Sequence, residues 1–152
     1  MMKISEKGLE LIRTFEGCRL TAYQCSAGRW TIGYGHTGKS VTQGLQITQA
    51  RATDLLLLDV NQVLKMLRAE IRVPVRQCQL DALVSLGFNI GTDALRKSTL
   101  LRLVNQNPDD PAIATQFECW VYVKGLVSAG LVRRRKAEAK LYFGGGRGAK
   151  GS

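Results

Sequence analysis

The sequence predicts an α+β fold, mainly α, with a small β-hairpin in an amino-terminal lobe, a long connecting helix and a helical carboxyl-terminal lobe. Three observations predict it. Apolar residues recur at helical spacing at the amino terminus and again through most of the chain beyond residue 48. The period falls to two only in the stretch from Cys18 to Thr37. One uninterrupted helical pattern, from about 49 to 72, is long enough at roughly 35 Å to join two lobes. With 152 residues, 45% of them apolar, the chain fits a single domain with a real core. That domain is expected over 1–143, with an amino-terminal lobe at about 1–50, a helical lobe at about 74–143 and a flexible tail at 144–152.

Taken in order, Ser5 is a helix N-cap, with Ile4 and Leu9 placed as a hydrophobic staple and Glu6 in the first turn. The first helix is expected over about 6–15. Leu9 and Ile12 form its inward stripe, which reaches Glu16 just before Gly17 ends the helix. RLTAY and RWTIGYGHT then read as two strands joined around SAG. On the second strand, Thr31, Gly33, Gly35 and Thr37 share one face, which leaves backbone bare for a bulky ligand. Trp30, Ile32, Tyr34 and His36 share the other.

Thr48 caps the connecting helix, which carries Leu56, Val60, Val63, Leu67 and Ile71 at helical spacing until Pro74 intervenes. CQLDALVSLGFNIG is apolar nearly all round and predicts a buried helix at the centre of the second lobe. Shorter helices are expected near 98–106, 111–122 and 131–142.

Lys plus Arg number 22 against 12 acids, a net charge of +10, which points to an anionic partner without choosing among nucleic acid, membrane surface and acidic polymer. No helix-turn-helix, RNA-binding sheet motif or zinc finger accompanies the charge, so no nucleic-acid partner is expected. The first 17 residues are interrupted by Glu6, Lys7, Glu10 and Arg13, too often for a signal peptide or membrane anchor. Cys18, Cys25, Cys78 and Cys119 lack CxxC spacing, and His36 is the sole histidine. No metal site and no cofactor are expected. Cys18, Cys78 and Cys119 are expected to behave as small apolar core residues.

The stretch FEGCRLTAYQCSAGRWTIGYGHTG holds one acid, Glu16, and the next carboxylate in the chain is Asp54. A carboxylate at a helix carboxyl end faces unsatisfied carbonyls, and partial burial further penalises its charge. Glu16 is therefore expected to hold its proton unusually well, as a general acid for glycosidic cleavage must. An ordinary surface residue, or a partner for Arg19 or Arg29, is the other reading of the same position.

Glu16, followed after eight residues by Cys25 and after five more by Thr31, with TIGYGHTG completing the hairpin, resembles the phage-type lysozymes, the endolysins of glycoside hydrolase family 24. The resemblance extends through the connecting helix, ALVSLGFNIG and FECWVYVKGLVSAGLVRRRKAEAKLY, nearly the whole chain. It implies a lysozyme-like fold and a muramidase that cleaves bacterial peptidoglycan between N-acetylmuramic acid and N-acetylglucosamine. It also implies a monomer without stable membrane association, held in the host cytoplasm and released to the wall or periplasm through a membrane pore, a holin.

Carried onto this chain, the resemblance makes Glu16 the general acid and Thr31 a holder of the attacking water. Gly33 lies on the open face that suits a polysaccharide. Cys25 stands where many members have Asp, and an ordinary thiol is only a few per cent ionised at pH 7. Three readings of it stand: a thiolate that orients or activates water, a neutral thiol that merely fits, and a nucleophile forming a glycosyl intermediate. The first is favoured, with Arg29 or His36 available to lower its pKa.

His36 reads as a structural hydrogen-bonding residue of the hairpin rather than a base. Asn89 either offers an amide to a sugar or caps the chain reversal before Gly91. Arg133 and Arg134 either touch substrate or belong to a solvated face, the usual reading of a run such as RRRKAEAK. Phe117 and Trp120 read as core rather than sugar platforms. Two rival functions remain, a lytic transglycosylase and a wall-binding protein that lost turnover with the acid at position 25.

Overall fold

The computed structural model describes residues 2–144. Seven helices and two small antiparallel sheets follow one another as α1 (Glu6–Glu16), β1 (Arg19–Gln24), β2 (Trp30–Gly33), β3 (His36–Thr37), α2 (Gln49–Glu70), α3 (Gln77–Ile90), α4 (Thr92–Arg96), α5 (Thr99–Gln106), α6 (Ala112–Phe117), β4 (Tyr122–Val123), β5 (Leu126–Val127) and α7 (Ala129–Tyr142). The tail expected at 144–152 lies, but for Gly144, outside the described residues.

Helix α1 begins at Ser5, whose hydroxyl accepts from Gly8 N–H as an N-cap and donates to Asp81 of α3. Asp81 is buried and also accepts from Ser5 N–H at 2.9 Å and from Gln77 Nε2 at 2.8 Å. The close approach of the two helices is set at Gly8, where a Cβ would come within 2.9 Å of the Asp81 side chain. This crossing fixes the far end of α1, and therefore Glu16. Asp81→Ala removes the acceptor of three hydrogen bonds at a partly buried helix start, and we expect it to cost about 1–3 kcal/mol of stability, read as a lowered urea midpoint at unchanged slope.

Helix α2 connects two apolar clusters. Its Leu55 joins Ile32 and Val41 in a small cluster beneath the three-stranded sheet. Leu56, Val60, Val63 and Leu67 join the main cluster around α3. Helix α3 is buried from Gln79 through Gly87, as its all-round apolar pattern predicts, and packs against α1, α2, α4 and α7.

The sheet departs from the expected hairpin. Strand order is β1-β2-β3, with Tyr23 opposite Thr31 and Ile32 opposite His36. The stretch read as one second strand is broken by a turn at Tyr34–Gly35, so His36 and Thr37 return as a third strand. The expected open face does not form. Thr31 and Ile32 are both buried, and Gly33 lies against Ala52 of α2 and Ile47. A helix packed across a four-residue strand covers what alternation alone would leave bare.

Three further expectations are corrected. Helix α6, expected to run to about 122, stops at Phe117, and the chain forms the β4–β5 hairpin from the expected helix end onward. Lys124 and Gly125, both at positive φ, make its two-residue turn. Cys18 and Cys119 are exposed and Cys78 only partly covered, because each sits at or beyond the end of an element rather than on its inward stripe; all four cysteines are free. The run RRRKAEAK is solvated only in part: Arg133, Lys136 and Lys140 are exposed, but Arg134, Arg135 and Glu138 are buried.

Candidate active site

Glu16 closes α1 with its side chain 17% exposed, and its charged partner is neither Arg19 nor Arg29 but a distant guanidinium, which removes the isolation on which the expectation of an unusually well-held proton rested. Arg134, 118 residues further on, donates from Nη1 to Glu16 Oε2 at 2.7 Å. The same guanidinium lies over the Phe15 ring, 5.8 Å from its centroid, and is itself only 4% exposed. The other carboxylate oxygen, Oε1, faces Gly35. A Cβ on Gly35 would stand 2.7 Å from that oxygen, and its φ of +80° also favours glycine. The β2–β3 turn thus presses bare backbone against the acid.

Glu16, Asn89, Arg133 and Arg134 line one cavity of about 610 Å³, floored by Phe15 and Leu131 and walled by Val123 of the β4–β5 hairpin. That volume is in the range of pockets that hold small ligands. Asn89 ends α3, and its Oδ1 accepts from Arg135 Nη2. A smaller cavity of about 200 Å³ lies on the other side of Gly35, between Thr37, Asp59, Phe88 and Thr92.

Cys25 and Thr31 form a separate group at the β1–β2 turn. The turn is closed by Cys25 N–H to the Arg29 carbonyl at 2.9 Å and Gly28 N–H to the Cys25 carbonyl at 2.8 Å. The Cys25 thiol is held below its ordinary pKa, chiefly by the Arg29 backbone N–H and then by that of Ala27, with smaller help from the Thr31 hydroxyl and the Arg29 charge. Arg29 therefore acts as expected, though mainly through its peptide group. The Thr31 hydroxyl lies 3.0 Å from the Arg29 carbonyl and donates its one proton either there or to the Cys25 sulfur.

Tyr23 sits close enough to Glu16 and Cys25 for both to oppose its ionisation. Its phenol is pushed up first by burial, against the opposing charge of Arg19, whose guanidinium lies 4.6 Å from the ring centroid.

Two sequence candidates stand apart. Gly33 is buried against α2, as described above. His36 does not reach Cys25; its Nδ1 bonds Asp59 Oδ2 at 2.8 Å and ties β3 to α2. Asp59 was invisible to sequence reasoning because nothing marks one acid in a long amphipathic helix as the partner of a distant histidine. The same holds for Ser85, Arg135 and Glu138, which stand behind Arg134.

A helix-borne carboxyl lining a cavity enclosed by α1, the end of α3, the β4–β5 hairpin and α7 fits a lysozyme-type hydrolase. Comparison with known proteins gives the particular family: the chain belongs to the phage lysozyme family, whose sequence model, described as Phage lysozyme, matches residues 13–138. An endolysin of Acyrthosiphon pisum secondary endosymbiont phage 1 is 47% identical over 93% of this chain and 98% of its own length. The structure of an endolysin from Escherichia coli O157:H7 phage FAHEc1 superposes with a TM-score of 0.86 at 38% identity, covering 95% of each chain. The muramidase domain of SpmX from Asticaccaulis excentricus superposes with a TM-score of 0.84 at 40% identity over 93% of this chain and 98% of that one. Some relatives are longer: the chain spans 56% of the endolysin of Bacillus phage PZA, at 40% identity.

Proposed function

We propose that this chain is a phage endolysin that hydrolyses the β-1,4 bond between N-acetylmuramic acid and N-acetylglucosamine by an inverting, single-displacement route. Degradation of peptidoglycan is the work of the family to which it belongs. The observation that carries the finer reading is the Glu16–Arg134 pair opening onto a cavity of sugar-binding size. Arg134 engages Oε2 and leaves Oε1, on the Gly35 side, to carry the proton. In the reaction that proton passes to the glycosidic oxygen as its bond to the anomeric carbon breaks. Arg134 then stabilises the carboxylate left behind.

Water attacks the anomeric carbon from the opposite face and gives a proton to the Cys25 thiolate, with Thr31 holding the water's oxygen. Asn89 and Arg133 supply polar contacts to the glycan along the cavity wall, and His36 and Gly33 support the sheet rather than touch the sugar. A net charge of +10 favours approach to an anionic envelope. The protein acts as a monomer on the wall after release from the host cytoplasm through a membrane pore.

Digestion of purified peptidoglycan tests the reading. New reducing ends are expected, with proton NMR of fresh product showing the inverted anomer. Muropeptides ending in an anhydro ring would assign a lytic transglycosylase instead, and a retained anomer would replace water attack by a covalent intermediate.

A further inference from the structure

Behind the acid and Arg134 lies a buried carboxylate, with a second arginine, that the proposed reaction does not use. Glu138 of α7 is fully buried and is not among the residues that line the cavity. Its Oε2 accepts from Arg134 Nε at 3.1 Å and from the Ser85 hydroxyl at 2.5 Å, and its Oε1 accepts from Arg135 Nη1. Each arginine then points its free end toward the cavity. Arg134 reaches Glu16, steadied by the Ser85 carbonyl at 3.2 Å. Arg135 reaches Asn89 and, through Nε, the Trp120 carbonyl at 2.8 Å.

One buried carboxylate therefore fixes two guanidinium groups that hold two residues of the cavity wall. We propose that Glu138 is a positioning residue for the hydrolytic site, holding the acid Glu16 through Arg134 and the substrate-facing amide of Asn89 through Arg135. This rests on the reading of Glu16 as the general acid.

Charge balance makes the role testable. Arg134 and Arg135 bring two positive charges into the interior, Glu138 cancels one, and the second faces Glu16. A buried cation left without its counterion is costly, which accounts for a carboxylate so far from the chemistry. The other titratable or charged groups near Glu16 are Tyr23 from β1, whose phenol senses the Glu16 charge, and Arg133 from α7, which lines the same cavity; α3 contributes the uncharged Asn89.

Glu138→Gln keeps the shape and removes the negative charge, so Glu16 then faces an excess of positive charge and gives up its proton more readily. A general acid works in its protonated form, so activity present at low pH would be lost earlier as pH rises. Arg135→Met removes one cation, leaves Glu138 in place and shifts the balance the other way.

The experiment is the pH profile of kcat/KM on peptidoglycan for wild type, both variants and the double variant, with folding checked by circular dichroism. The alkaline limb is expected to move down by about half to one pH unit in Glu138→Gln and up by a similar amount in Arg135→Met. The double variant should return it to the wild-type position, while KM stays raised in each variant that frees Asn89. A purely structural role would lower activity without giving the two limbs opposite signs.

Limbs that stay in place in folded variants, or move the same way, would overturn the proposal. If Glu138→Gln does not fold, Arg135→Met and the double variant, which buries no unpaired charge, still decide it. A Glu16→Gln control as active as wild type would instead overturn the acid assignment itself, so the two failures are distinguishable.

Discussion

Glu16→Gln is expected to lower the rate of wall degradation by about two to four orders of magnitude while the protein stays folded, the loss that removal of a general acid usually brings. The amide has the size of the carboxyl, and its carbonyl oxygen can still accept from Arg134 Nη1, so the contact to α7 survives. What disappears is the transferable proton. Binding to insoluble peptidoglycan should persist, because Asn89, Arg133 and the cavity wall are untouched. The comparison of turbidity clearing with sedimentation binding therefore separates an enzyme from a wall-binding protein. Equal clearing by variant and wild type sinks the acid assignment, and negligible clearing by both makes this chain a binder.

The placement of several candidate residues was legible along the chain because the geometry that matters there is local. The stripe from Leu9 through Ile12 to Glu16 places the acid on the inward side of α1, and the antiparallel return of β2 on β1 brings Thr31 back beside the turn that holds Cys25. What could not be read is whatever depends on a partner distant in sequence. Glu16 looked isolated from other acids, and the cations near it in the chain, Arg19 and Arg29, are not its partner; α7 returns beside it with Arg134. RRRKAEAK looked solvated because charge runs usually are. Here Arg134, Arg135 and Glu138 fall at i, i+3 and i+4 spacing on a face that turns toward Ser85, where charges compensate one another.

The local misses have local causes. A helix was expected through residue 122 because FECWVYV gives no breaker, and Lys-Gly is a weaker turn signal than Asn-Gly. The glycines of TIGYG read as an open binding face. One of them instead starts a new turn against the acid, and the other packs on α2.

At position 25 the expected results are opposite for two small changes. Cys25→Ser should lose about a hundredfold in kcat/KM, whereas Cys25→Asp should keep activity within a few fold of wild type. The Arg29 and Ala27 peptide N–H groups hold the thiol below its ordinary range by stabilising a negative sulfur. An aspartate in the same turn can accept those hydrogen bonds in the same charged form. A serine hydroxyl fits the space but does not ionise near neutral pH, so it cannot take the proton of an attacking water.

The pH dependence carries the sign. A base works when deprotonated, so the acid limb rises as Cys25 loses its proton. Replacement by aspartate, with an ordinary pKa of about 4, moves that limb to lower pH. The measurement is kcat/KM between pH 4 and 9 for the three proteins, together with the anomer released by each. A serine variant equal to wild type would end the thiolate reading. A retained anomer from wild type, with a sugar adduct on the Cys25 peptide, would make the sulfur a nucleophile; aspartate could then still function, but the acid would protonate the leaving group in one step and activate water in the next.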